Sequence, residues 1–577
     1  MADADTARLC KQIVQSQFGP LAASVVSVLL TRGRLPLPLI ARLSGLKLRT
    51  TRAAIIVLVQ HNILWHAQSD DDGEVFEVNV DECLLRLRYG RYVWQAEQLF
   101  GKAGADIVQL ILDHGKLRPL DIISRLSVYD PLKGVSTSHH ITVHDLILRV
   151  ASAMYSQALH RLVDGSYLRP STILSHISPR DKRIRYEVEE KAKISGFPTA
   201  KELREARETA EARLKREEDE AEQTGMKRKA RDQSGRSSKR KAMDEDVVNE
   251  EVYFRVNCEK FNIHIRNKLI VDAVIERFNE SAGLVLQATL KATDAKQMKL
   301  SDVRTDTTSL ANIAMQLSDD DDLSAGLVLQ SSKKASTMSM LKNYLGILAC
   351  ADNPTPAGRA ASFVSVNGSK VQVEFEIVGR RLRRRVLETV ARERHGDDGV
   401  RVVRLLLDSG KMDEKQASLL LLLRLRSQID RTTKISKIGM MANKDARPLL
   451  SAMSADSLIS LQEVPKSADR NPTRTFYLWF IDLQKSYSVL LDNLYKTLYN
   501  IATRRQAESD EPVVKAVLEK RQRSDVSQDE ERLLTRNERE ILAQWEKKRE
   551  KLTVLEMRVE EAVFILRDLG ALGNSDD

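Results

Sequence analysis

The order of elements across the first eighty residues constrains this chain more than any other feature. Leu21, Val25, Val28 and Leu29 follow the i, i+4, i+7, i+8 spacing of a helix, and Gly33 stops it. Pro38 to Leu43 reads as a second short helix, closed by Ser44 and Gly45. Leu48 to Ile63 reads as a third, with Thr50 or Thr51 as its N-cap. Leu64 to Ala67 is extended, Asp70 to Gly73 is a turn, and Val75 to Val80 alternates as a strand. Three helices followed by a strand, a turn and a returning strand is the order of a winged helix, a helix-turn-helix closed by a hairpin.

Similar orders recur. Ala105 to Asp113, Leu120 to Leu126 and Thr142 to Val163 are helical, with a break at His114-Gly115. Gly165 to Leu168 and a charged strand near Arg183 to Val188 follow them. Further on, Asn262 to Asn279 and Met340 to Leu348 are helical, while residues 288–340 are polar and irregular. Phe363 to Phe375 forms a hairpin around Asn367-Gly368, and Leu382 to His395 a helix. In the last such region Gly399 to Leu407 is a helix stopped by Ser409-Gly410, and Asp413 to Gln416 starts a second. Lys444 to Ser457 is a third, and Leu458 to Val464 and Thr475 to Ile481 are strands around a wing at Lys466 to Thr473.

Residues 201–250 break this pattern. Lys201 to Glu222 is nearly all Lys, Arg, Glu and Ala, compatible with a solvated helix but without an apolar face to bury. The stretch reads as a disordered linker. Its clusters Lys227-Arg228-Lys229 and Lys239-Arg240-Lys241 are spaced like a bipartite nuclear localisation signal, which predicts a nuclear protein. From Leu483 the chain is helical. Tyr487, Leu490, Leu491, Leu494 and Leu498 form one apolar stripe. Ile541, Trp545, Leu552, Leu555, Val559, Ala562, Leu566 and Leu569 form another at heptad spacing. Residues 506–530 separate them, which predicts an antiparallel helical hairpin or coiled coil.

The fold class is therefore mainly α with small β-hairpins, as four tandem winged-helix domains and a C-terminal antiparallel coiled coil. The expected divisions are winged helix 1 (1–90), winged helix 2 (91–200), a charged disordered linker (201–250), winged helix 3 with a polar insertion (251–396), winged helix 4 (397–482) and the helical hairpin (483–577). The heptapeptide SAGLVLQ occurs at Ser281 to Gln287 and again at Ser324 to Gln330; two copies do not make a solenoid.

Chemistry enters mainly by its absence. No phosphate-loop, dinucleotide-binding, zincin or serine-hydrolase motif is present. Cys10, Cys83, Cys258 and Cys350 lie too far apart for a zinc pair and suit a reducing compartment. His139, His140 and His144 lack a third metal ligand of recognisable spacing, and Asp319 to Asp322 lacks the alternation and glycine of a calcium loop. No continuous apolar run reaches the ~20 residues of a membrane helix. A soluble, intracellular, non-enzymatic protein is expected, with no cofactor, no metal site and no membrane partner.

The 91 Lys plus Arg against 81 Asp plus Glu leave a formal charge of +10, and its placement matters more than its size. Lys47, Arg49 and Arg52 sit at the start of a third helix, the end that a DNA-binding helix-turn-helix inserts into the major groove. Lys437, Lys444 and Arg447 lie before and within the third helix of the last winged helix, and Lys466, Arg470 and Arg474 on its wing. All nine are candidate phosphate contacts. Arg380, Arg381, Arg383, Arg384 and Arg385 form the densest basic run outside the linker, suited to phosphate or an acidic partner subunit.

Several stretches resemble a known family. They are Lys411 to Gln416, Asn443 to Leu450, Gln462 to Pro472, Arg474 to Trp479 and Tyr495 to Tyr499, together with Leu9 to Gly33 and Gly90 to Tyr92. Together they resemble the largest subunit of the RNA polymerase III-specific heterotrimer, which is related to the α subunit of the general factor TFIIE. The resemblance implies four extended winged helices and a coiled coil. It implies a non-catalytic polymerase subunit on the clamp side of the enzyme. The implied partners are the two smaller heterotrimer subunits, other polymerase III subunits, the initiation factor TFIIIB and DNA. The implied role is recruitment, promoter opening and initiation of tRNA, 5S rRNA and other small RNA transcription. One departure stands out: residues 417–434, including Leu419 to Leu423, interrupt the family pattern as an insertion or a retained intron. Two alternatives of other classes are a free-standing winged-helix transcription factor and a winged-helix scaffold of another assembly. The first would want base-reading Asn, Gln or Arg on the third helix, where Ala, Ile, Val and Leu predominate beyond Arg52.

Overall fold

The computed structural model describes residues 3–69, 73–128, 141–194, 199–228, 246–318, 323, 326, 337–353, 355, 358, 361–413, 443–465, 475–523 and 533–571. They form two compact units, Met1–Arg266 and Asn267–Asp577.

The first unit opens with α1 (Ala4–Arg32), β1 (Leu35–Pro36), α2 (Leu37–Ser44), α3 (Leu48–Gln60), β2 (Leu64–Ser69) and β3 (Gly73–Val78). Gly33 (φ 83°) and Gly45 (φ 69°) end α1 and α2 in the left-handed region, which an L side chain enters only at a cost. The three strands are antiparallel in the order β1-β3-β2, so the last strand is central. Phe76 pairs with Leu35 on one side and His66 on the other. The expected Thr cap of α3 is corrected: Lys47 occupies the N-cap and makes no side-chain bond there. Thr51 is fully buried and donates its Oγ1 hydrogen to the Lys47 carbonyl instead, at 3.2 Å. The helix α1 is long and apolar enough to cross a bilayer by composition. It breaks at Gly19 (φ 84°) and Pro20, however, and buries Leu9, Ile13, Val25, Val26 and Leu29 in this unit. Each such burial is worth about 1.5–3 kcal/mol, the account expected of a core helix.

The chain continues through α4 (Val80–Leu85), α5 (Tyr89–His114), α6 (Pro119–Val128), α7 (Ile141–Asp164) and β4 (Leu168–Pro170). Here two expectations are corrected. The segment Arg183 to Val188 is not a strand but lies inside α8 (Pro179–Ala192). Pro179 starts that helix, and Arg185–Glu189 and Lys191–Glu187 pair at i, i+4. Ile184 and Val188, whose alternation mimicked a strand, face solvent while Tyr186 is buried. Nor is the start of the linker disordered. Residues Ala200–Gln223 form α9, opened by a reciprocal capping box between Thr199 and Glu202. Ala206 and Ala210 are buried, and Tyr186 of α8 donates to Glu217 of α9. Small side chains supply the packing face that a search for large apolar residues misses. The strand β5 (Met226–Arg228) pairs antiparallel with β6 (Asp246–Val248).

The true partner of β4 comes only at β7 (Phe254–Val256). Phe254 pairs with Pro170 on one side and bridges Leu117 on the other. It thus occupies the place that Phe76 holds in the first sheet. The helices α8 and α9 and the β5–β6 pair are inserted between two strands of one small sheet. Ser171 N–H donates to Tyr253 C=O at 2.7 Å and closes the neck of that insertion.

The helix α10 (Cys258–Arg277) carries the chain across the boundary between the units. In the second unit α11 (Glu280–Thr293), β8 (Thr308–Ser309), α12 (Leu310–Ala314), α13 (Thr337–Leu348), β9 (Val364–Asn367) and β10 (Lys370–Val373) repeat the order of the first sheet region. Residues 288–340, expected to be irregular, include the end of α11, β8 and α12. The first SAGLVLQ lies in α11, and the second falls outside the described residues except Gly326. A third sheet follows α14 (Phe375–Ser409), which breaks at Gly396 (φ 69°). It holds β11 (Met412–Asp413), β12 (Ser460–Pro465) and β13 (Thr475–Phe480), with α15 (Asn443–Ala455) before β12. Strand orders β8-β10-β9 and β11-β13-β12 again place the last strand centrally. Asp413, expected to open a helix, pairs with Leu478 in β11. The expected insertion at 417–434 lies outside the described residues.

The end of the chain is α16 (Leu483–Asp510), α17 (Pro512–Arg521) and α18 (Arg536–Val563). Arg505 makes a two-pronged ion pair with Glu556 (2.7 and 2.9 Å), and Lys548 pairs with Glu508 (2.9 Å), so α16 and α18 run antiparallel. Leu490 and Leu566 join Leu450, Met453, Leu458 and Ile459 in one core. Of the expected heptad stripe Trp545, Leu566 and Leu569 are buried, but Leu555 is 46% exposed, and Leu542, Val563 and the carboxylate-bearing Glu560, outside the stripe, are buried.

Candidate nucleic-acid interface

The three candidates of the first winged-helix region come together. Lys47, Arg49 and Arg52 are all exposed on the first turns of α3. Neither they nor Arg42 of α2 pair with a carboxylate among the described residues. The segment from Thr6 to Ser69 contains no Asp or Glu at all. Arg34, in the same segment, finds its acids elsewhere: its Nη2 lies 2.6 Å from Glu77 of β3 and 2.6 Å from Asp181 of α8. Cations at a helix N-terminus oppose the macrodipole, at about 0.3–1 kcal/mol each. A bound anion would relieve that opposition.

The remaining candidates are less gathered. Arg447 is exposed on α15, and Lys444 lies on the same helix. Lys437, Lys466, Arg470 and Arg474 lie outside the described residues, as do Lys229, Lys239, Arg240 and Lys241. Lys227 and Arg228 fall in β5. The basic run does not form an open patch. Arg380 pairs with Glu376 at 2.9 Å, Arg384 with Glu388 and Asp408 at 3.2 Å each, and Arg385 with Glu276 at 2.5 Å. Arg381 donates to the Ala361 carbonyl at 2.9 Å and lies over the Phe363 ring. Burial, with Arg277 nearby, lowers its guanidinium to about 10. Arg383 is buried, donates to the Gly570 carbonyl and lies over the Tyr487 ring. Arg380 and Arg384 pair within α14, while Arg381, Arg383 and Arg385 tie it to other segments, so phosphate would have to compete with intramolecular acceptors.

Sequence reasoning missed a buried polar network in the first unit. Desolvation raises the Glu82 carboxyl, against the pull of Arg255 and Arg86. Tyr89 O–H donates to Glu82 at 3.1 Å. Arg86 is 7% exposed, stacks over Phe18 at 4.5 Å and leaves Nε and Nη2 without an acceptor among the described residues. Tyr92 donates to Asn262 at 2.7 Å and stacks on Phe261, which meets Tyr167 edge-on. A chain with 5% aromatics concentrates them here. Burial lowers His61 to about 4, helped by Arg86 and His114. Burial also lowers His176 to about 4, helped by Lys116 and Arg255. His176 lies 2.9 Å from the Lys116 amine, and His61 and Glu82 are set by other neighbours. Among the described residues, no cluster of His, Cys, Asp or Glu is placed to hold a metal ion.

The observation that decides the family is the match along the chain. Residues 8–68 match the helix-turn-helix domain of RNA polymerase III subunit RPC82. Residues 157–355 match the model of that subunit itself, and residues 416–481 match the C-terminal winged-helix domain of POLR3C. The DNA-directed RNA polymerase III subunit RPC3 of Bos taurus is 26% identical over 97% of both chains. The Homo sapiens protein of the same name is 25% identical over 97% of both, and that of Aspergillus niger 24% over 97% of this chain and 99% of its own. This chain belongs to the RPC3/RPC82 family. The 8–68 match coincides with α1 to β2, which carries Lys47, Arg49 and Arg52. The 157–355 match spans the insertion between β4 and β7, so that insertion lies within the family's domain.

Proposed function

We propose that this chain is a non-catalytic subunit of nuclear DNA-directed RNA polymerase III. The observation that carries the reading is the end-to-end coverage: 97% of this chain aligns with 97% of relatives that bear that subunit's name. Its four winged-helix regions and paired terminal helices act as a scaffold beside the clamp, joined to the two smaller subunits of the heterotrimer. The scaffold engages TFIIIB and promoter DNA during recruitment and opening. Lys47, Arg49, Arg52, Lys437, Lys444, Arg447, Lys466, Arg470 and Arg474 supply sequence-tolerant phosphate contacts. The clusters at Lys227 to Lys229 and Lys239 to Lys241 direct nuclear import.

Affinity purification of the tagged full chain from nuclear extract, with quantitative mass spectrometry, tests this reading. Near-stoichiometric recovery of the two small heterotrimer subunits and the large polymerase III subunits is expected. Recovery of the chain alone, or of an assembly without polymerase, would overturn it.

A further inference from the structure

The helix α3 has an unusual solvent face. At 100° per residue, Leu48, Arg49, Arg52, Ala53, Ile56 and Val57 share the half of the helix turned away from the core. Thr51, Ile55 and Leu58 fill the buried half. Ile56 is 61% exposed, Leu48 50% and Val57 45%. One solvent-exposed aliphatic residue needs no explanation, but three on one helix face do. The polar side chains sharing that face are cationic through its first turns, no acid occurs anywhere from Thr6 to Ser69, and Arg49 and Arg52 have no carboxylate partner among the described residues. The nearby Arg34, by contrast, is paired twice.

We infer that this face of α3 seats an acidic protein segment bearing aliphatic side chains. The inference rests on the polymerase-subunit reading for the source of that segment. The aliphatic residues supply the area that becomes desolvated, and Arg49 and Arg52 supply the charge that selects an acidic partner and rejects a basic one. A second copy of this chain does not fit, because face-to-face pairing would oppose like charges. DNA on the same turns would press Ala53, Ile56 and Val57 against phosphates they cannot neutralise, so the phosphate contacts proposed for Arg49 and Arg52 and the seating of this segment exclude one another. The helix is then a docking element at its C-terminal half, with its basic half steering the partner into register.

The test places a benzoyl-phenylalanine crosslinker at position 56 of the full chain in cells, followed by purification of the crosslinked assembly and mapping of the joined peptide. The expected peptide is rich in Asp, Glu and aliphatic residues and belongs to another chain. In parallel, Ile56→Glu with Val57→Glu should lower recovery of that partner at least tenfold. The melting temperature of the free full chain should change by no more than about 2 °C. Crosslinking to DNA, to a basic segment, to this chain itself or to nothing would overturn the inference. Such a result with polymerase subunits still co-purifying would leave the polymerase reading standing. An acidic crosslinked segment without polymerase subunits would do the reverse.

Discussion

The first two sheets of the first unit make the same closure in different ways. In the first, β2 turns into β3 within a few residues, and the central Phe76 pairs with Leu35 and His66. In the second, the chain leaves β4 at Pro170 and returns only at Phe254, which pairs with Pro170 and Leu117. Between those points it builds two helices and a further strand pair. The cost of closing a loop grows slowly with its length, so a wing can take a long insertion if its neck stays closed. The Ser171–Tyr253 hydrogen bond is that closure. The difference teaches that the wing is the variable part of this fold and the central strand the invariant one.

If the two central strands are equivalent, Phe76→Ala and Phe254→Ala should be the most damaging changes and should match. Both side chains are buried (6% and 0% exposed), so each truncation should cost about 3–5 kcal/mol. Hydrogen exchange followed by mass spectrometry should show lost protection over β2–β3 for one and over β4–β7 for the other. A loss below about 1 kcal/mol for Phe254→Ala would break the equivalence.

Acid should weaken both regions. His61 lies behind α3, and His176 at the neck of the insertion; each is held near 4 in the folded chain against an ordinary value of 6.5. The unfolded chain therefore takes up these protons first as pH falls. Stability is full above about pH 6.5 and declines towards pH 4. Thermal unfolding at pH 7.5 and pH 5 should show a lower melting temperature at the acid value. His61→Gln with His176→Gln should shrink the difference, and an unchanged difference would remove these histidines from the account.

The smallest effect should fall on the insertion alone. Thr199→Ala removes the capping box of α9 and should cost about 1 kcal/mol. Exchange should quicken in the first turns of α9 and not in β4 or β7. Spread of the effect into the sheet would mean that insertion and sheet fold as one cooperative piece.

Much of this architecture was legible in the sequence because large apolar residues mark it. The helix stops at Gly33, Gly45, Gly115 and Gly410 and the hairpin at Asn367-Gly368 follow from local backbone preference. What was not legible depends on tertiary placement. The return strand β7 lies far from its partner in sequence, and only pairing reveals it. The packing face of α9 consists of Ala206 and Ala210, which carry little hydrophobic signal. Ile184 and Val188 alternate like strand residues, yet the Pro179 start and i, i+4 ion pairs set a helix. In α18 Glu556 rather than Leu555 faces α16, because Arg505 reaches across to it. Of the candidate interface, the basic start of α3 was legible from order and charge. The engagement of Arg381, Arg383 and Arg385 was not, because their partners come from other segments.

The proposed role of this subunit is to serve initiation and take no part in bond formation. It is tested most directly by removing the chain from purified RNA polymerase III and adding it back. RNA synthesis on a tailed template, which needs no promoter, should be unchanged by removal. Promoter-directed synthesis should be lost and then restored by the full chain. Loss of tailed-template synthesis, or promoter-directed synthesis that persists without the chain, would contradict the account.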